Sequence, residues 1–126
     1  MKLSLLAAIA AGGATGSVLR YLLGLGAQNL FGRGFPWGTL LVNVLGALAV
    51  GALYVLLVER HALAPAWRAL FITGLLGGFT TFSAFSLETL LLHDRGETLL
   101  ALLNVLLNVG LCLLFAWIGL SLARNL

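Results

Sequence analysis

Four long stretches of the chain are dominated by apolar residues, and most charged residues gather in the short gaps between them. The stretches cover about 3–27, 37–58, 67–92 and 98–123. Each approaches or exceeds the roughly 20 residues that a helix needs to cross a bilayer. The gaps carry turn and charge signals: Phe31 to Pro36, with Gly32, Arg33 and Gly34; Glu59 to Pro65, with Arg60 and His61; and His93 to Glu97, with Asp94 and Arg95. Trp37, Trp67 and Trp117 fall near stretch ends, as interfacial aromatics do. The pattern predicts an all-α membrane protein of four transmembrane helices in a single domain, 1–126. No internal repeat is evident.

The third stretch differs from the others. Between Gly74 and Ser86 it holds three glycines, four hydroxyls and three phenylalanines. Glycine lowers helix propensity, and clustered Thr and Ser compete for backbone bonds. A helix interrupted in hydrocarbon must have its freed peptide groups satisfied by protein or by an ion. Broken membrane helices often mark ion or substrate sites for this reason. A break between about Gly74 and Ser83 is therefore expected. The competing account is a glycine-rich face that lets two helices pack closely.

Composition sharpens the class. Of 126 residues, 61% are hydrophobic and 9% charged, and the mean hydropathy is +1.10. A soluble domain is about 25% charged. The net charge of +3 does not point to nucleic acid, because no basic patch exists to carry it. Cys112 is the only cysteine, so no intrachain disulfide forms, and its apolar setting suits a packing residue. The segment from Met1-Lys2 into Leu3–Ala8 could pass for a signal peptide. The apolar pattern continues through Gly12, Gly16 and Leu25, so it is expected to stay as the first span.

An even number of spans puts both termini and the second gap on one side. That side holds Lys2, Arg60, Arg68 and Arg124; the other holds Arg33 and Arg95, plus Arg20 if it reaches outward. Such a small difference gives almost no positive-inside bias. The chain then either inserts both ways up or adopts one orientation despite the weak signal. Four helices fill their own centre with side chains. A transport path is therefore expected between subunits, with a dimer the smallest solution.

Polar residues inside the spans are the candidates for function. Gly12, Gly16, Arg20 and Gly24 lie four apart on one stripe of the first helix. Arg20 either concentrates anions at depth or snorkels to the interface. Thr39 and Asn43 stack on the second helix, and Asn104 and Asn108 stack on the fourth, with Cys112 a turn beyond. Stacked asparagines serve either as interhelical glue or as a ladder of donors. Phe82 and Phe85 are three apart, beside Thr81, Ser83 and Ser86, and should project from one side. They either pack simply or turn their positive ring edges toward an anion. Glu88 is the only acid well inside a span. His61 and His93 are loop residues and form no recognisable metal site. Donors outnumber acids, whereas cation pores often use acidic rings or carbonyl filters. The inventory suits a small anion or a small neutral molecule.

Three motifs then carry a resemblance. Gly12-Gly13-Ala14-Thr15-Gly16-Ser17-Val18-Leu19-Arg20-Tyr21, Gly38-Thr39-Leu40-Leu41-Val42-Asn43-Val44-Leu45-Gly46, and Gly74 through Ser86 together resemble the Fluc (CrcB-type) fluoride channels. The resemblance covers nearly the whole chain. It implies a passive fluoride channel, with no catalysed reaction, as a multi-pass protein of the cell inner (cytoplasmic) membrane. It implies an antiparallel dual-topology homodimer in membrane lipid, with two fluoride pathways drawing on both subunits. It implies a structural Na⁺ on the dimer axis, held by backbone carbonyls that map to Gly77 and Thr80. The pathway residues map to Asn43, Phe82, Phe85, Arg20 and Glu88, with Thr39, Thr81 and Ser83 as further lining hydroxyls. One departure stands out: the family's fourth helix commonly offers a Tyr and then hydroxyls, where this chain has Asn104 and Asn108. Two rival classes remain. A small dual-topology multidrug or cation transporter needs a membrane-embedded acid, and Glu88 is the sole candidate. A non-transporting accessory subunit is the other.

Overall fold

The computed structural model describes residues 2–61 and 63–126. The described residues are mainly helical and include four helical spans long and apolar enough to cross a membrane: Leu3–Phe31, Trp37–Glu59, Pro65–Asp94 and Thr98–Arg124. The first is α1 and the second α2. The third contains α3 (residues 65–79) and α4 (Phe82–Asp94), and the last is α5.

Local chemistry sets the ends. α1 continues through Gln28 and Asn29 to Phe31, four residues past the expected end, because Leu30 and Phe31 resume the apolar run. Gly32 stops it, with φ +83°, a conformation that costs other residues a Cβ clash. Pro65 opens α3, where its missing N–H is no loss. Hydrogen bonding widens to the π form over Val55–Glu59 and Ala69–Leu76. The π-form part of α3 lies against α1.

Glycine governs two helix crossings. A Cβ on Gly12 would strike Leu70 O, and one on Gly78 would strike Gly13 O. A Cβ on Gly74 would sit 2.7 Å from Ile9 O. The backbones of α1 and α3 therefore touch directly, as small residues permit in membranes. α2 and α5 repeat this arrangement, with Gly51 against Ala116 O and Gly119 against Leu48 O. At one end, Arg60 Nη2 donates to Ala123 O at 2.7 Å, and Arg124 pairs with Glu59. The second gap and the C-terminus thus meet.

The outward faces are apolar. Leu3, Leu99, Leu113 and Leu122 are all exposed, as expected where the solvent is hydrocarbon.

Candidate functional site

The helix of the third span ends at Phe79, with Thr80 N still donating to Leu76 O at 3.0 Å, and a helix resumes at Phe82. Thr80 (φ −84°, ψ 158°) and Thr81 (φ −153°, ψ 118°) are extended. Thr81 is the N-cap of α4, where its hydroxyl accepts from Ala84 N at 3.1 Å.

The peptide groups released there find specific partners. Thr81 N donates to Asn43 Oδ1 at 2.8 Å, and Asn43 Nδ2 donates to Thr81 O at 3.0 Å. The side-chain amide thus stands in for a neighbouring peptide. Gly46, one turn beyond Asn43, leaves the space that the Thr80 methyl fills.

Carbonyls before and within the turn lose their usual donors, Gly77 O and Thr80 O among them. Gly77 O would accept from Thr81 N in a continuous helix, but that N–H goes to Asn43. Thr80 O would accept from Ala84 N, but that N–H goes to the Thr81 hydroxyl. Thr80 O instead lies 3.5 Å from Arg20 Nη1. Among the described residues Gly77 O has no such partner. Both residues line an open groove of about 490 Å³, together with Asn43, Phe82, Phe85 and Asn108.

Phe82 and Phe85 touch, with ring centroids 5.2 Å apart and planes at 61°. Their surroundings differ: Phe82 is 76% exposed and Phe85 is 7% exposed. The shared side is as the spacing predicts, but only Phe82 stands open.

A second groove, about 560 Å³, lies against α1. Ser17, Arg20, Thr39, Thr81 and Ser83 line it, so Thr81 borders both grooves. Ser83 Oγ is 3.2 Å from Thr81 Oγ1. Thr39 Oγ1 donates to Glu88 Oε1 at 2.8 Å, while the buried Glu88 Oε2 has no partner among the described residues. Thr39 and Glu88 also face a third hollow, whose wall includes Arg33 and Arg95.

Asn104 and Asn108 point inward. Asn104 is wholly buried and Asn108 nearly so. Asn43 Nδ2 donates to Asn108 Oδ1 at 3.0 Å, and Asn108 Nδ2 donates to both Asn104 O and Asn104 Oδ1 at 3.0 Å. Asn104 Nδ2 donates to Thr89 Oγ1 at 2.9 Å. Sequence reasoning missed Thr89. Its signal was the four-residue spacing of Thr81, Phe85 and Thr89, which puts them on one stripe of α4.

The structure brings Arg20, Thr39, Asn43, Thr80, Thr81 and Ser83 around one extended turn, and Glu88 joins them only through Thr39. Among the described residues no group of three His, Cys, Asp or Glu could hold a metal. The available chemistry is hydrogen-bond donation, ring edges and neutral carbonyl oxygens.

Four apolar helical spans around a turn lined with donors define a polytopic α-helical membrane protein. A family model described as "CrcB-like protein, Camphor Resistance (CrcB)" matches residues 7–120, and the chain belongs to this family. Curated relatives carry the name "Fluoride-specific ion channel FluC". The one from Shewanella amazonensis is 55% identical over 111 residues, covering 88% of this chain and 89% of the relative. That from Rhizobium meliloti is 47% identical over 116 residues, covering 92% and 93%. That from Methylococcus capsulatus is 51% identical over 126 residues, covering all of this chain; the chain spans 55% of that relative's length.

Proposed function

We propose that the protein is a fluoride-selective passive ion channel that exports cytoplasmic fluoride across the cell inner membrane. The observation that carries this reading is the extended pair Thr80–Thr81 inside an apolar span, bordered by Asn43, hydroxyls, Arg20 and an exposed phenylalanine. Family membership and the relatives' names support it.

The physical account follows from fluoride's size. A small anion holds its water strongly and sheds it only where donors are dense. Ser83 and Thr81 hydroxyls, the Arg20 guanidinium and the positive edges of Phe82 and Phe85 supply such a lining. Larger halides fit a narrow path less well and gain less from each donor. Glu88 holds Thr39 in place through its hydroxyl. From acidic surroundings fluoride enters the cell as neutral HF and dissociates inside. A negative membrane potential then drives the anion out, with about 2.3 kcal/mol per charge per 100 mV.

The working unit in this reading is an antiparallel dual-topology homodimer. Two pathways run along it, and the third span is broken at mid-membrane. The open groove beside Phe82 and Gly77 is the face that a second copy covers. A structural Na⁺ fits the donor set. Gly77 O and Thr80 O are among the carbonyls deprived of helical N–H partners, and hard cations prefer such oxygens. The stretch from Gly74 to Leu87 contains no acid to favour a divalent ion. The ion, when bound, supplies positive charge to oxygens that hydrocarbon cannot satisfy.

Purified protein in liposomes loaded with fluoride or chloride tests the reading. Fluoride leaves rapidly without a proton gradient, and chloride stays. Comparable release of the two ions rejects fluoride selectivity, and no release of either rejects the channel.

A further inference from the structure

The asparagine hydrogen bonds form one relay with a single direction. Thr81 N donates to Asn43, Asn43 to Asn108, Asn108 to Asn104, and Asn104 to Thr89. The Thr89 hydroxyl then donates to Phe85 O at 2.7 Å. Both ends of the relay lie on the third span, while its middle crosses α2 and α5. Hydrogen bonds aligned in this way polarise one another, and a low dielectric strengthens each.

Donor counting limits what these amides can do. An asparagine amide has two N–H bonds. Those of Asn43 go to Thr81 O and Asn108 Oδ1. Those of Asn108 go to Asn104 O and Asn104 Oδ1. Neither has a donor to spare for an anion, and Asn104 is 0% exposed. Asn108 Oδ1, however, fixes the second N–H of Asn43. Without that acceptor, nothing on α5 decides which way the Asn43 amide faces Thr81.

We infer that Asn104 and Asn108 are positioning residues that act through Asn43 to hold the Thr80–Thr81 turn, and that neither contacts the passing ion. The relay stands whatever ion passes; its place beside a fluoride path rests on the function proposed above.

The test reads the Thr81 amide directly, by residue-resolved hydrogen exchange of the ¹⁵N-labelled full-length protein in detergent micelles. Asn108→Ala and Asn104→Ala each speed Thr81 exchange about tenfold, the scale of one lost buried hydrogen bond. Val109→Ala, on the same turn of α5 but outside the relay, leaves it unchanged. In an Asn43→Ala background, Asn108→Ala adds nothing further. Unchanged Thr81 exchange in both asparagine variants overturns the proposal. So does an equal rise in Val109→Ala, or an additive effect in the double variant.

Fluoride efflux supplies the second readout. Asn108→Ala slows efflux in the native background and has no added effect with Asn43→Ala. A multiplicative loss makes Asn108 an ion ligand and overturns the proposal. Wild-type protein that shows the exchange pattern but releases no fluoride defeats the channel reading and leaves the relay standing.

Discussion

Phe82 and Phe85 show how one spacing can hide two different residues. Their rings meet edge to face, yet Phe85 packs inside the chain while Phe82 stands in the open groove. Replacing either ring with Ile keeps apolar bulk and removes the positive edge. Phe82→Ile should slow fluoride efflux from liposomes several-fold while lowering the thermal stability of the detergent-solubilised protein less than Phe85→Ile does. Phe85→Ile should slow efflux and also destabilise the fold by about 1–3 kcal/mol, because a buried site must repack. Unchanged efflux in both variants returns the rings to simple packing. The candidate side chains themselves were readable as a set, since polar groups stand out against an apolar span. Their partners were not. Asn43 meets Thr81 and Asn108 across large separations in the chain, and periodicity names a face without naming what covers it.

At the scale of the helix, the spans were legible because length and hydropathy alone define them. The inward faces were hard to read for a physical reason. Hydrocarbon is as apolar as a core, so the lipid-facing and buried sides of a helix look alike in sequence. Glycine is the exception, since it marks where backbones meet. Gly12→Ala and Gly78→Ala should each destabilise the protein by about 1–3 kcal/mol, because the added Cβ meets rigid backbone across the α1–α3 crossing. Gly26→Ala, with nothing within 4 Å of the added carbon, should be neutral or slightly stabilising. Thermal unfolding in detergent distinguishes them. Equal tolerance of all three would mean that the crossing is loose. The glycines of the third span thus serve two purposes: Gly74 and Gly78 admit α1, and Gly77 lines the open groove.

At the scale of the whole molecule, the charge distribution leaves orientation weakly specified. A reporter fused to the C-terminus should give signal on both sides of the membrane, as an antiparallel pair requires. Signal on one side alone would reject dual topology. The proposed cation gives a second expectation. Exchanging Na⁺ for a large organic cation should lower the unfolding temperature of the purified protein, with recovery on adding Na⁺. A melting curve indifferent to Na⁺ would remove the ion from the account. In the proposed dimer both properties belong to the relation between two copies.

The amide of Asn43 also bears on biogenesis. It lies in the second span, which leaves the ribosome before the third. When the third span reaches the insertion machinery, its Thr81 peptide is a liability that lipid cannot relieve. A ready-made substitute already waits in the neighbouring helix. The order of synthesis therefore matches the order in which the hydrogen bonds are needed. In Asn43→Leu the third span should linger at the insertion site or remain outside the bilayer, a defect that arises during manufacture and precedes any ion's passage.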